Sequence, residues 1–249
     1  GVYSMEGDLP DLPRAIELQQ RVSQLVQEGQ AVLRPVEKLD PALLVRTFTL
    51  RTSDGFVENF GPALIARIEA EAPGVRLFFM QKSDKDSRPL RDGSVDLETG
   101  VVDTATAPEL RVQALIRDRF VGVVRLGHPL SQAAISPASY AAGRHIHVSR
   151  QGLDRGAIDE ALKLLGLERR VVTIVGGFSN ALALARASDL IASVPERHTG
   201  NLRAGMHSFP LPVATPEITV SLLWHPRLDA DPAHRWLRGH VKAVCASLR

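Results

Sequence analysis

RTFTLRTSDGFVENFGPALIARIEAEAPGVRLFFMQ, residues 46–81, sets the fold class. RTFTLR (46–51) places Phe48 and Leu50 on one face, the period of two of a half-buried strand. TSDG (52–55) is a polar turn. Phe56, Phe60, Leu64, Ile65 and Ile68 then recur at helical spacing. PGVRLFFMQ (73–81) returns to a strand. A strand, a helix and a second strand in this order form a crossover unit, which points to a parallel α/β sheet.

The same logic extends outward. DKDSRPLRDG reads as a weak helix and SVDLETGVV (94–102) as a third strand. LRVQALIRD (110–118) and RFVGVVR (119–125) are two more strands with almost no turn between them. GHPLS (127–131) is a loop, and ISPASYAAG a short helix. RHIHVS (144–149) is a strand, followed by a helix over 154–165 that Gly166 stops. RVVTIV (170–175) is a strand, GGFSN opens another helix, and DLIASVP (189–195) is a strand. MHSFPLP and EITVSLLWH look like a hairpin pair. A helix over 231–248 closes the chain, with Trp236, Val241 and Val244 on one side. Two α/β blocks that each bind at the carboxyl ends of their strands would face each other across a cleft.

Ahead of both blocks runs LPRAIELQQRVSQLVQEGQAVLRP (12–35). Ala15, Leu18, Val22, Leu25, Gly29 and Val32 alternate spacings of three and four, a heptad seam. Pro13 suits the start and Pro35 the stop of a helix roughly 35 Å long. Such a seam either folds onto its own domain or pairs with a second copy of the chain. Its narrowness and regularity favour the second copy. VEKLDPALL (36–44) reads as a linker.

Composition limits the function classes. The 249 residues are 44% hydrophobic and carry a net charge of only +2, too weak a bias for a self-contained nucleic-acid binder. Aromatics at 5% supply no extended stacking platform. Cys245 is the single cysteine, so no disulfide framework or zinc ribbon forms, which fits a reducing cytoplasm. No apolar run approaches the ~18 residues of a membrane span.

Several short stretches carry chemistry. In TSDG, hydroxyls and free N–H groups at a helix start make an anion site, with Thr52 and Ser53 as carboxylate contacts; the plainer role is that Ser53 or Asp54 caps the helix. GGFSN (176–180) repeats the device, with Phe178 as a stacking face and Ser179 as a hydroxyl or a cap. His145 and His147 share one face of a strand, but no third metal ligand lies nearby, so His147 and Ser149 read better as hydrogen-bonding groups at the strand's end. Asp96, Glu98 and Asp103 are either paired carboxylates or a strand-end turn with a solvated rim. No nucleophile–base pair, elbow or phosphate loop is visible, and Cys245 reads as a packed thiol. No catalytic residue, metal site or cofactor is expected.

The order of motifs resembles the LysR-type transcriptional regulators without their N-terminal winged helix-turn-helix. LPRAIEL (12–18) resembles the family's L-T-P-x-A-x-x-L entry to the linker helix, although the usual Thr is absent. PGVRLFFMQ resembles P-x-V-x-L. LRDGSVDLETG resembles L-x-x-G-x-L-D-L-x-I-x with Val95 for the usual Leu. GHPL resembles H-P-L, and DLIASVPER resembles G-I-x-x-L-P with Val194 before Pro195. The resemblance implies two Rossmann-like α/β subdomains with the type II architecture of periplasmic binding proteins, preceded by a long linker helix. It implies a linker and dimerisation region at 1–45, a first subdomain at 46–124 with 222–249 returning to it, and a second at 125–221. The crossings would lie near Val124–Leu126 and Ser221–Leu223.

The family binds effectors in the cleft, which carries over to Thr52, Ser53, Lys82, Ser83, Val101, His147, Ser149, Phe178 and Ser179. HVSRQG and GFSN resemble the subgroup that senses aromatic compounds. The function so implied is effector sensing and self-association, as a dimer or tetramer through Leu18, Val22, Leu25 and Val32. The effector would be a small organic anion or aromatic compound, DNA would be bound only through the absent domain, and no membrane is involved. A transporter's solute-binding protein and a small-molecule enzyme are the alternatives on the same scaffold.

Overall fold

The computed structural model describes residues 12–33 and 38–247. Residues 34–37, which hold the helix stop expected at Pro35 and the first two residues of the linker expected at 36–44, lie outside them, as do residues 1–11 and 248–249. The heptad stretch is one helix, α1 (Leu12–Leu33). It touches the rest of the chain chiefly around Pro226–Leu228. Leu18, Val22, Leu25 and Val32 are all exposed, Val32 at 82%. The seam is therefore not a local core in the single chain.

The stretch 46–81 folds as read: β1 (Arg46–Thr52), α2 (Asp54–Glu71) and β2 (Val75–Gln81), with β1 and β2 parallel. Next come α3 (Arg88–Asp92), β3 (Leu97–Val101) and β4 (Arg111–Asp118). With β10 (Ile218–Trp224) they make one sheet in the order β2-β1-β3-β10-β4. It is mixed rather than parallel, because β10 runs antiparallel to both β3 and β4. Phe56, Phe60, Leu64 and Ile68, four residues apart on α2, pack on Phe48, Leu50, Leu97 and Leu222. The closing helix, α7 (Pro232–Ser247), adds Leu237, Val241 and Val244 to the same core.

The second lobe holds β5 (Phe120–Arg125), α4 (Pro137–Ala141), β6 (Arg144–Val148), α5 (Ala157–Lys163), β7 (Arg170–Val175), α6 (Phe178–Arg186), β8 (Ala192–Pro195) and β9 (Met206–Pro210). β5 is central and antiparallel to β8 and β9. β6 and β7 are parallel. Ile146 N donates to the Ile191 carbonyl at 2.9 Å, which ties β6 to the β8 side. The helix expected over 154–165 is shorter. Gly156 is its N-cap, fixed by a 2.8 Å bond from its N–H to the Asp159 carboxylate, and Gly166 leaves it with φ +69°.

Two further expectations are corrected by the pairing. MHSFPLP and EITVSLLWH are not a hairpin: β9 pairs with β5 and β10 with β3 and β4. The connection LPVATPE carries Pro212 and Pro216, whose fixed φ and missing N–H groups do not suit a tight hairpin loop. The crossings also come earlier than expected. β4 belongs to one sheet and β5 to the other, with only Arg119 between them, and the return runs between Pro210 and Ile218.

Candidate functional site

Arg150, two residues past β6, reaches Lys82, the residue after β2, so the carboxyl ends of these two strands meet between the lobes. In the first lobe, Lys82 N donates to the Thr52 carbonyl at 2.9 Å, which holds the two strand ends together. Ser53 caps α2, its Oγ accepting from Phe56 N at 3.3 Å. The same Oγ lies 3.1 Å from Nε2 of His198, a residue of the other lobe. Burial pushes His198 down to about 4, so the ring is neutral. The Thr52 hydroxyl is 1% exposed as a residue and has no hydrogen-bond partner among the described residues.

Lys82 is not a free cation. Its Nζ lies 3.3 Å from Glu98 Oε2 and 3.5 Å from the Thr99 carbonyl, and Arg51 Nη2 lies 2.5 Å from Glu98 Oε1. All three ionised groups are buried. Gly100 makes room for the ammonium, since a Cβ there would sit 2.5 Å from Nζ. Burial lowers the Lys82 pKa, with Glu98 opposing the shift. Glu98 is therefore half of a charge cluster and not one of a carboxylate pair. Asp96 accepts from Thr49 N at 2.8 Å, and Asp103 binds Lys85 and its own turn. Ser83 is exposed and Val101 is 47% exposed at the rim.

In the second lobe, Ser149 N donates to the Val175 carbonyl at 2.9 Å and aligns the ends of β6 and β7. Ser149 Oγ accepts from Leu153 N at 3.0 Å. His147 Nδ1 lies 3.1 Å from Arg169 Nη2. A guanidinium only donates, so Nδ1 accepts and the ring proton sits on Nε2. Arg169 is held by Asp159 at 2.7 Å. Burial, then the Arg169 charge, lowers the His147 pKa. His145 is buried and donates from Nε2 to the Tyr140 carbonyl at 2.7 Å. Phe178 sets its ring edge-on to Phe120, 6.1 Å between centroids. α6 starts on Gly177 with no side-chain cap, leaving the first N–H groups of that helix without a capping side chain.

Contacts between the lobes gather these parts. Arg150 Nη1 donates to the Lys82 carbonyl at 2.9 Å. Asp118 accepts from the backbone N–H groups of Arg197 and His198, each at 2.9 Å. α2 also touches α6. Thr52, Ser53 and Lys82 thus stand together, with Arg150 reaching them from beside Ser149, while His147 is engaged by Arg169. Arg150 and His198 were not among the residues expected from sequence. Their only local signal is position, one residue past Ser149 and one past DLIASVPER. A cavity of about 750 Å³ lies along α5 and β7, and its lining includes none of the nine expected residues.

The family model for the LysR substrate binding domain matches residues 42–246. The chain is similar to the HTH-type transcriptional activator NagR of Ralstonia sp, 28% identical over 91% of this chain and 76% of NagR. It is 27% identical to the HTH-type transcriptional activator NahR of Pseudomonas putida over the same shares. The crystal structure of the probable transcriptional regulator PA0477 from Pseudomonas aeruginosa superposes with a TM-score of 0.71 at 27% identity, covering 92% of this chain and 78% of that one.

Proposed function

The chain belongs to the LysR substrate-binding domain family, and from that premise we propose that it senses a small organic acid between its lobes and self-associates through α1. The observation that carries the effector reading is the buried, unpartnered Thr52 hydroxyl at the strand ends of the first lobe, supported by the uncapped start of α6 in the second. A hydroxyl and free helix N–H groups suit a carboxylate. Phe178, the first residue of α6, suits an aromatic body.

An effector signals only if it favours one arrangement of the lobes over another. Arg150 and His198 link the lobes beside the proposed site, so an occupant there acts on those links. Through α1 the change would reach the regulator's DNA-binding part and alter transcription. Leu18, Val22, Leu25 and Val32 form the dimer seam in this proposal, supported by their exposure in one chain.

A thermal-shift screen against aromatic and aliphatic carboxylates tests the effector reading. An effector at about 100 times its dissociation constant adds ~2.7 kcal/mol of stability. A panel in which no acid shifts the transition would overturn it.

A further inference from the structure

Arg150 stands one residue past Ser149 on the far side of the cleft from Lys82, and its Nη1 donates to the Lys82 backbone carbonyl at 2.9 Å. That carbonyl belongs to the residue whose N–H binds Thr52, so the guanidinium rests on the same strand ends as the unpartnered Thr52 hydroxyl. The side chain is exposed, and no carboxylate of the described residues pairs with it. The other two cations nearby are committed: Lys82 and Arg51 are buried on Glu98. A guanidinium has five donors, and one of these is used here, on a neutral acceptor.

We propose that Arg150 is the residue that selects acids over neutral compounds in the cleft, taking the effector's carboxylate in place of the Lys82 carbonyl. The assignment rests on the effector reading above. The bond to the Lys82 carbonyl has an ionised donor and a neutral acceptor; a carboxylate adds an ionised acceptor, and Arg meets it with two parallel N–H groups. An acid bound beside Thr52 therefore outcompetes a backbone carbonyl for this side chain. The exchange also replaces a direct tie between the lobes by one that runs through the ligand. Specificity and signal thus meet on one residue. A neutral analogue of the same shape would leave the Arg150–Lys82 tie in place.

The test is calorimetric titration of the full chain with benzoate, cyclohexanecarboxylate, hexanoate and the primary amide of each. Wild type, R150Q, R150K and T52A are compared. Arg150 is exposed, so R150Q should fold with unchanged stability. The expected result is an acid that binds wild type, binds R150Q about ten- to a hundredfold more weakly, and binds R150K at an intermediate level. Affinity for the matching amide should be equal in wild type and R150Q, and T52A should weaken acid and amide alike. Acid binding unchanged in R150Q, with T52A still weakened, would overturn the role of Arg150 and leave the effector reading standing. Acid binding that neither variant alters, or no binding of any probe to wild type, would overturn the effector reading and this assignment with it.

Discussion

Asn59 and Asn201 bind each other reciprocally: Asn59 Oδ1 accepts from Asn201 N at 2.8 Å, and Asn201 Nδ2 donates to the Asn59 carbonyl at 3.1 Å. Asn59 Nδ2 also donates to the Arg197 carbonyl at 3.2 Å. Asn59 is buried on α2, whereas Asn201 and Arg197 follow β8 in the other lobe. N59A leaves Asn201 N and the Arg197 carbonyl, both in the second lobe, without these bonds, and we expect a loss of about 2 kcal/mol. Urea unfolding would read this as a lower midpoint at constant slope. An unmoved midpoint would mean that the pair contributes nothing to holding the lobes.

Glu98 neutralises two buried cations, Arg51 and Lys82. E98Q leaves Lys82 buried without a counter-charge and Arg51 with only the exposed Asp84 at 3.4 Å, which should cost roughly 3–5 kcal/mol. K82M combined with E98Q removes one of the stranded charges and should recover part of that loss. Equal stability of E98Q and wild type would show that solvent screens the cluster.

His145, His198 and His234 should make the fold acid-labile. Burial pushes each from 6.5 down to about 4. The unfolded chain takes up these protons as pH falls through 6.5, and the folded chain only near 4. Stability is therefore full above pH 6.5 and is lost progressively toward pH 4, by roughly 3 kcal/mol for each histidine. Melting curves between pH 7.5 and 5 should show the decline, and H145Q or H198Q should flatten it relative to its own value at neutral pH. A pH-independent melting temperature over that range would refute the assignment.

The exposed seam of α1 predicts an association that depends on its apolar side chains. L18E combined with L25E should shift the chain toward monomer in sedimentation velocity while leaving effector binding intact. Deleting residues 1–35 should do the same. Wild-type and variant chains that sediment alike would leave the exposed seam without a role in assembly.

Local elements were legible wherever one residue's environment is set by its sequence neighbours. Phe56, Phe60, Leu64 and Ile68 mark the buried face of α2 because the helix repeat itself brings them together. Ser53 at a strand-to-helix junction is a cap for the same reason. The failures are non-local. A strand pattern says that 206–210 and 218–224 are extended, but not that their partners are β5 in one case and β3 and β4 in the other. Lys82 could be placed at a strand end, yet its commitment to Glu98 depends on β2 and β3 flanking β1. The hold of Arg169 on His147 and the reach of Arg150 to Lys82 likewise join residues whose spacing carries no pattern.

The insertion of β10 between β3 and β4 imposes an order on biosynthesis. While the ribosome is still making residues 120–210, the first sheet has a vacant slot between β3 and β4 and no α7 packed on it. The second lobe, whose strands all lie within that span, can close first. The first lobe emerges earlier from the ribosome but has to wait, with the inner sides of β3 and β4 unpaired and open to aggregation or chaperones. Nascent chains stalled before residue 218 should accordingly show protease resistance in the second lobe alone, and only synthesis through α7 should protect the first.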